Sequence, residues 1–380
     1  MKISRAADGT VLEIIFDYLI SNFHLHPRQG DLMKLMVRLL ILGGWRGYLV
    51  SMPNLRNRPL IDGLTVMSYH NSLVSQSETW LKTLGLSPEW PIPSWIPTMQ
   101  ITPATRVEDI DEAHAAGVIA GKLYPWGVTY SEYGIRNFFE SELLAVLTRM
   151  TELGMIKLCH GEDPDPLVPG MDKEKSFVEK ILPSLIGQCG GRWVLEHVST
   201  RAGLDFVKSC SVGEVGATIA VHYLYETHDD VIGYSEESGG LLRPHLHCKP
   251  TPKDPLDRDA LIEDATSGDP HFWCGNDDAP HRKGTKECDG VCPGVFNTPA
   301  ALSSIIDVFE GAEKLANLER FLCLSGPNFW GLSPLRRKTR VVRDQWIVPD
   351  SYELADVKDL VVPLRSGEGM NWKVRDQSRF

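Results

Sequence analysis

No stretch of this 380-residue chain is long and apolar enough for a transmembrane helix; runs such as Leu39-Leu40-Ile41-Leu42 fall far short of the ~20 residues needed. Cysteine is sparse. Cys159, Cys189, Cys210, Cys248, Cys274, Cys288, Cys292 and Cys323 are scattered along the chain, several inside apolar strand-like runs, which argues for reduced thiols rather than a disulfide framework. Only Cys288-x3-Cys292 has metal-like spacing, and without a second pair it reads as a Gly-rich loop. Basic charge is also short: 39 Lys and Arg against 50 Asp and Glu leave a net charge of −11, the wrong sign for a nucleic-acid binder. Asp8, Glu13 and Asp17 interrupt the first segment, so no signal peptide is expected and the chain is expected in the cytoplasm. There is no internal repeat, no low-complexity linker and no Gly-x-Gly-x-x-Gly turn after the first strand-like run.

What is present is a recurring unit: a short apolar run, a polar loop, then an amphipathic stretch. The runs are Tyr18–Ile20, Gly47–Val50, Pro97–Ile101, Val118–Leu123, Met155–Cys159, Trp193–Glu196, Ala217–Ala220 and Phe272–Gly275. Between them lie segments such as Ser141–Met150 with apolar residues at helical spacing. Eight alternating units predict an α/β fold, a (β/α)8 TIM barrel, rather than an open sheet. Residues 1–17 form an unassigned N-terminal extension, 18–325 the barrel, and 326–380 a C-terminal extension packed on it. The stretch 226–270 reads as a long loop before the eighth strand.

In a barrel of this kind chemistry sits at the C-terminal ends of the strands. His24-Leu25-His26 follows the first run, Asn54 the second, Lys122 ends the fourth, His160 the fifth and His197 the sixth; Asp277 follows the eighth. Period-two alternation turns His24 and His26 to the same side. A lone His at a strand end is usually a hydrogen-bonded structural residue. Several imidazoles converging with a carboxylate instead suit a catalytic transition metal, zinc by ligand type. Lys122 fits such a site only as a carbamate, made by capture of carbon dioxide and able to bridge two metals; otherwise it is an ammonium paired with Asp277 or a substrate acid.

The motifs Asn22-Phe23-His24-Leu25-His26, Ser51-Met52-Pro53-Asn54, Gly121-Lys122-Leu123-Tyr124-Pro125, His160-Gly161-Glu162, Leu195-Glu196-His197 and Gly275-Asn276-Asp277-Asp278-Ala279-Pro280-His281 resemble those of dihydroorotases. The similarity is to the short, single-function type of bacteria and fungi within the amidohydrolase superfamily. It continues through Arg243-Pro244-His245, Gly290–Asn297 and Gly367–Trp372, covering roughly residues 18–375 in order. The resemblance implies zinc-dependent, reversible hydrolysis of dihydroorotate to carbamoyl aspartate in pyrimidine biosynthesis. It implies two zinc ions, one held by His24, His26 and Asp277 and the other by His160 and His197, bridged by carboxylated Lys122. Asp277 would also be the catalytic proton shuttle. Arg28, Asn54 and His281 would grip the substrate carboxylate, with Thr129 on the loop over the substrate. A homodimer is expected, as in relatives.

The chain departs from the family pattern in four places. Asn22 stands where Asp is usual, and Tyr130 follows Thr129 where a second Thr is expected. Asn276 and Asp278 replace small hydroxyl residues beside Asp277. His222 is displaced by one position near the seventh strand, a shift that would turn it to the other face. These changes spare every expected ligand but are expected to crowd the substrate shell. The competing readings are therefore an amidohydrolase opening another cyclic amide or imide, such as a hydantoin-like ring, and a catalytically weak scaffold.

Overall fold

A computed structural model describes residues 1–55, 59–87, 90–128, 133–233, 242–355 and 358–375. Two short strands, β1 (Lys2–Arg5) and β2 (Val11–Phe16), precede the barrel. The barrel strands are β3 (Ile20–Leu25), β4 (Trp45–Ser51), β5 (Ser94–Pro97), β6 (Met99–Ile101), β7 (Ala120–Leu123), β8 (Ile156–His160), β9 (Trp193–Glu196), β10 (Val215–Ile219) and β11 (Phe272–Cys274). All pair in parallel, as β3-β4-β5 and β6-β7-β8-β9-β10-β11. β5 and β6 are halves of one strand broken at Thr98, and a parallel bridge from Leu25 to Asp278 joins the first strand to the segment that follows the last. The result is the expected (β/α)8 barrel.

The strands form because their side chains are buried on both faces, as a parallel sheet under helices requires. The helices supply matching stripes: Ser141–Glu152 buries Leu143, Val146, Leu147 and Met150 at helical spacing. Phe23, Val50, Ile96, Ala120, Ile156, Leu158, Val194 and Trp273 form a separate apolar cluster, extended by Phe329 and Trp330. Gly216 makes room for it, because a Cβ there would lie 2.3 Å from the Trp273 ring.

Three expectations are corrected. The first strand runs Ile20–Leu25, so His24 lies inside it rather than after it. The stretch 226–270 is not a plain loop: it contains the helices His228–Ile232 and Pro255–Ser267, the second capped by Asp254 with Pro at its start. His222 is not on a strand but in the 3-10 turn Val221–Leu224, where the period-two argument does not apply.

Beyond the barrel, β12 (Thr339–Ile347), β13 (Tyr352–Glu353), β14 (Leu360–Val361) and β15 (Gly369–Arg375) close the chain. β1, β2, β12 and β15 make one antiparallel sheet in that order, so the two ends of the chain share a layer. Among the described residues no helix is long and apolar enough to cross a membrane.

Candidate metal and carboxylate site

The mouth of the barrel holds a cavity of about 320 Å³ lined by His24, His26, Arg28, Asn54, His160, His197, Asp277 and His281. His24, His26 and Asp277 offer ligand atoms all within 4.8 Å of one another, the only such cluster among the described residues. Asp277 Oδ1 lies 3.3 Å from His24 Nε2 and 3.2 Å from His26 Nε2. From there the imidazoles continue as a chain: His24 to His197 with ring centres 4.9 Å apart, then His197 to His160 at 4.5 Å. Burial drives the pKa of His26 down to about 3 and that of His197 well down, so both rings are neutral, the form that binds metal. Burial opposes ionisation of Asp277, but contacts with His24 and His26 outweigh it and hold its carboxyl well below the usual range.

Two of these residues sit on strained backbone. His197 has φ +43° and Asp277 φ +47°, and Arg28 shares the feature at +65°. Left-handed conformations at residues other than glycine persist only where surroundings enforce them, and they gather at functional sites. Here they turn strand-end side chains into the mouth.

Further carboxylates set the imidazoles, and these the motif reading did not single out. Glu196 Oε2 lies 2.6 Å from His24 Nδ1 and accepts from Thr218 Oγ1 at 2.6 Å. With Nδ1 engaged, His24 presents Nε2 to Asp277. Glu162 Oε2 lies 2.6 Å from His160 Nε2, which leaves Nδ1 as that ring's available nitrogen. The signal for Glu196 was its acid group at the end of the apolar strand Trp193-Val194-Leu195.

Lys122 is fully buried, and its Nζ has no hydrogen-bond partner among the described residues. Its Nζ lies 5.3 Å from the centre of the Tyr124 ring. Burial lowers its pKa to about 8, partly offset by the charge of Glu196. A buried ammonium normally finds acceptors, because leaving one unsatisfied costs about 1–3 kcal/mol or more. A buried lysine without an acceptor among the described residues, beside imidazoles and a carboxylate, fits a metal ligand better than a structural cation.

Arg28 and His281 line the same cavity. Arg28 Nε donates to Pro280 O at 3.2 Å and Nη2 lies 3.1 Å from His281 Nε2. His281 Nε2 also lies 3.0 Å from Pro293 O, so two contacts compete for one ring nitrogen. Burial and the Arg28 charge push the His281 pKa to about 2, keeping it neutral. Asn54 lines the same cavity, its Oδ1 without a partner among the described residues. Thr129 and Tyr130 lie outside the described residues.

The other departures fall away from the cavity. Asn22 Oδ1 accepts from His24 N at 3.2 Å and Asn276 N at 2.9 Å, tying the first strand to the loop after the eighth without a charge. Asp278 accepts from Asn297 N at 2.9 Å and from Thr298 Oγ1, at the start of the helix Thr298–Gly311, and burial lifts its pKa to about 7. His222 remains buried, with Nδ1 3.0 Å from Asn297 Nδ2. None of these four lines the cavity, so the expected crowding does not come from them.

No family model matches the chain. The dihydroorotase of Nitrosomonas europaea is 34% identical over 356 residues, 93% of this chain and 96% of that protein. The dihydroorotase of Photobacterium profundum is 36% identical over 358 residues, 93% and 97% of the two chains. Among solved structures, dihydroorotase from Saccharomyces cerevisiae in complex with 5-fluoroorotic acid superposes with a TM-score of 0.83 at 25% identity, covering 96% of this chain and 99% of that one. An L-hydantoinase from Arthrobacter aurescens shares the fold, with a TM-score of 0.73 at 15% identity over 95% and 83% of the chains.

Proposed function

Since the chain belongs to the dihydroorotase family, we propose that it hydrolyses the cyclic amide of (S)-dihydroorotate to N-carbamoyl-L-aspartate and runs the reverse ring closure in pyrimidine biosynthesis. The observation that carries this reading is the pairing, across one cavity, of the His24–His26–Asp277 cluster with Arg28 and His281. That combination suits a substrate carrying both a hydrolysable amide and a carboxylate.

In this reading His24, His26 and Asp277 would hold one zinc and His160 and His197 the other, with carboxylated Lys122 as a further ligand. When bound, the metals supply a nucleophile at neutral pH and draw electrons from the amide carbonyl. Asp277, kept ionised by its histidine contacts, takes the proton of the attacking water and delivers it to the leaving ring nitrogen as the amide C–N bond breaks. Ring closure reverses that transfer. Arg28 offers the planar fork that a carboxylate requires, with Asn54 and His281 beside it and Thr129 assigned to the same shell from sequence. Glu196 and Glu162 keep their imidazoles in the tautomer that faces inward. A small-molecule substrate, a homodimer and a cytoplasmic location complete the proposal.

The test compares dihydroorotate with carboxylate-free dihydrouracil and hydantoin on one zinc-loaded preparation. Dihydroorotate should be turned over fastest. Arg28→Met should reduce kcat/KM for it by the equivalent of about 2–5 kcal/mol, as when one partner of a buried charged contact is removed. Faster turnover of the neutral rings would favour a hydantoin-like amidohydrolase, and no turnover of any ring a scaffold.

A further inference from the structure

Behind the wall that carries His281 sits a buried ammonium with no part in the chemistry above. Lys286, 2% exposed, ends the short helix Lys283–Lys286. Its Nζ donates to three backbone carbonyls: His247 O at 3.0 Å, Cys292 O at 2.9 Å and Gly294 O at 2.7 Å. An ammonium carries three protons, so this set is complete. The carbonyls belong to two segments far apart in sequence, which are also joined directly by Gly294 N donating to His247 O at 2.8 Å. Burial brings the pKa of Lys286 down to about 8, so it is still charged at neutral pH. A neutral amine would offer two protons and turn its lone pair toward the third carbonyl.

The pinned segment is part of the cavity wall. Cys292, Pro293 and Gly294 line it alongside Arg28 and His281. Pro293, held between two of the carbonyls that Lys286 binds, places its own carbonyl 3.0 Å from His281 Nε2. The fit has no slack: Gly294 sits at φ +140°, and a Cβ there would come within 2.6 Å of Ala279 O and 3.1 Å of His281 Cδ2. From these contacts we infer that Lys286 is a positioning residue for carboxylate recognition, fixing the 292–294 wall that sets the place of His281 beside Arg28. The inference rests on the proposed role of Arg28 and His281 in gripping the substrate acid.

The experiment uses zinc-loaded wild type, Lys286→Met and Gly294→Ala. The second variant keeps the ammonium but forces the wall off His281. Each is measured for KM and kcat on dihydroorotate, equilibrium binding of orotate, and zinc content. Both variants should raise KM and weaken orotate binding on the order of ten- to a hundredfold, the scale of a small displacement of a binding group, with kcat and zinc content little changed. Unchanged KM and orotate affinity, or a loss of kcat and zinc in step with KM, would overturn the inference. If Lys286→Met does not fold, Gly294→Ala decides by the same criteria. Wild type inert toward dihydroorotate would instead sink the functional reading, and orotate affinity equal in wild type and variants would still refute the role of Lys286.

Discussion

Lys122 and Lys157 sit on neighbouring strands, β7 and β8, both wholly buried, and burial lowers both to a pKa of about 8. Only their surroundings differ. On the outside of β8, Lys157 Nζ donates to Thr151 Oγ1 and to Gly190 O and rests 4.9 Å from the Trp193 ring centre. At the barrel mouth Lys122 reaches no acceptor among the described residues. A shifted pKa alone would have flagged both. Hydrogen-bond accounting separates a lysine that ties the helix Ser141–Glu152 to the turn at Gly190 from one whose amine has no acceptor among the described residues.

The largest effect should come at the residue that Lys122 accompanies. Asp277→Asn should reduce kcat by about 10²–10⁴ while the fold survives, because only a carboxylate can take and return the proton; steady-state kinetics beside circular dichroism would check it. Near-normal turnover would move the base elsewhere. The comparison itself is tested next by exchanging the loss. Lys122→Ala should strip metal and activity. Lys157→Met should leave both intact and instead destabilise the fold by about 1–3 kcal/mol, through loss of its hydrogen bonds to the Thr151 hydroxyl and the Gly190 carbonyl. Metal analysis and thermal melts on the two variants read this directly, and a metal-depleted Lys157→Met would erase the distinction.

A smaller effect sharpens the picture at one remove. Glu196→Gln should weaken zinc affinity by about 10–100-fold, since the carboxylate sets the His24 tautomer without touching the metal, and titration against a metal buffer measures it. The smallest concerns Glu226, whose carboxyl is raised to about 7 by burial and by the charges of Asp230 and Glu368. The folded state then holds the proton more tightly than the unfolded chain. Stability from this group is full below the unfolded value near 4.5 and is lost as pH rises through about 7. The melting temperature of wild type should therefore fall relative to Glu226→Gln between pH 5 and 8; parallel curves would show that burial of this acid is not a stability determinant.

The fold class and the residues at the mouth were legible because polar side chains at the ends of apolar strands stand out. Histidines two apart also have one geometric meaning on a strand. Boundaries were less legible. The first strand was cut short at Ser21 and Asn22, polar residues that remain in the strand because Ser21 Oγ accepts from Tyr48 N and Asn22 Oδ1 from Asn276 N. The helix Pro255–Ser267 buries Asp264 and Thr266 along with Ala260, Leu261 and Ala265, a face too polar and small-sided to stand out, and the sequence there reads as loop. Glu196 and Glu162 were inside recognised motifs, yet their task depends on which ring nitrogen faces inward, and that exists only in three dimensions. Lys286 carried no signal at all, since its three acceptors are backbone atoms.

The sheet shared by the two ends of the chain also imposes an order on synthesis. β2 ends at Phe16 and its partner β12 begins at Thr339, about 320 residues later. At ~5–20 residues per second, the ribosome needs on the order of half a minute to deliver that partner. Val11, Ile14 and Phe16, buried in the finished protein, wait for all that time without the strand that completes their sheet. The strand Val11–Phe16 is thus among the last to find its place, and the nascent chain must keep a sticky β-edge harmless while the barrel assembles behind it.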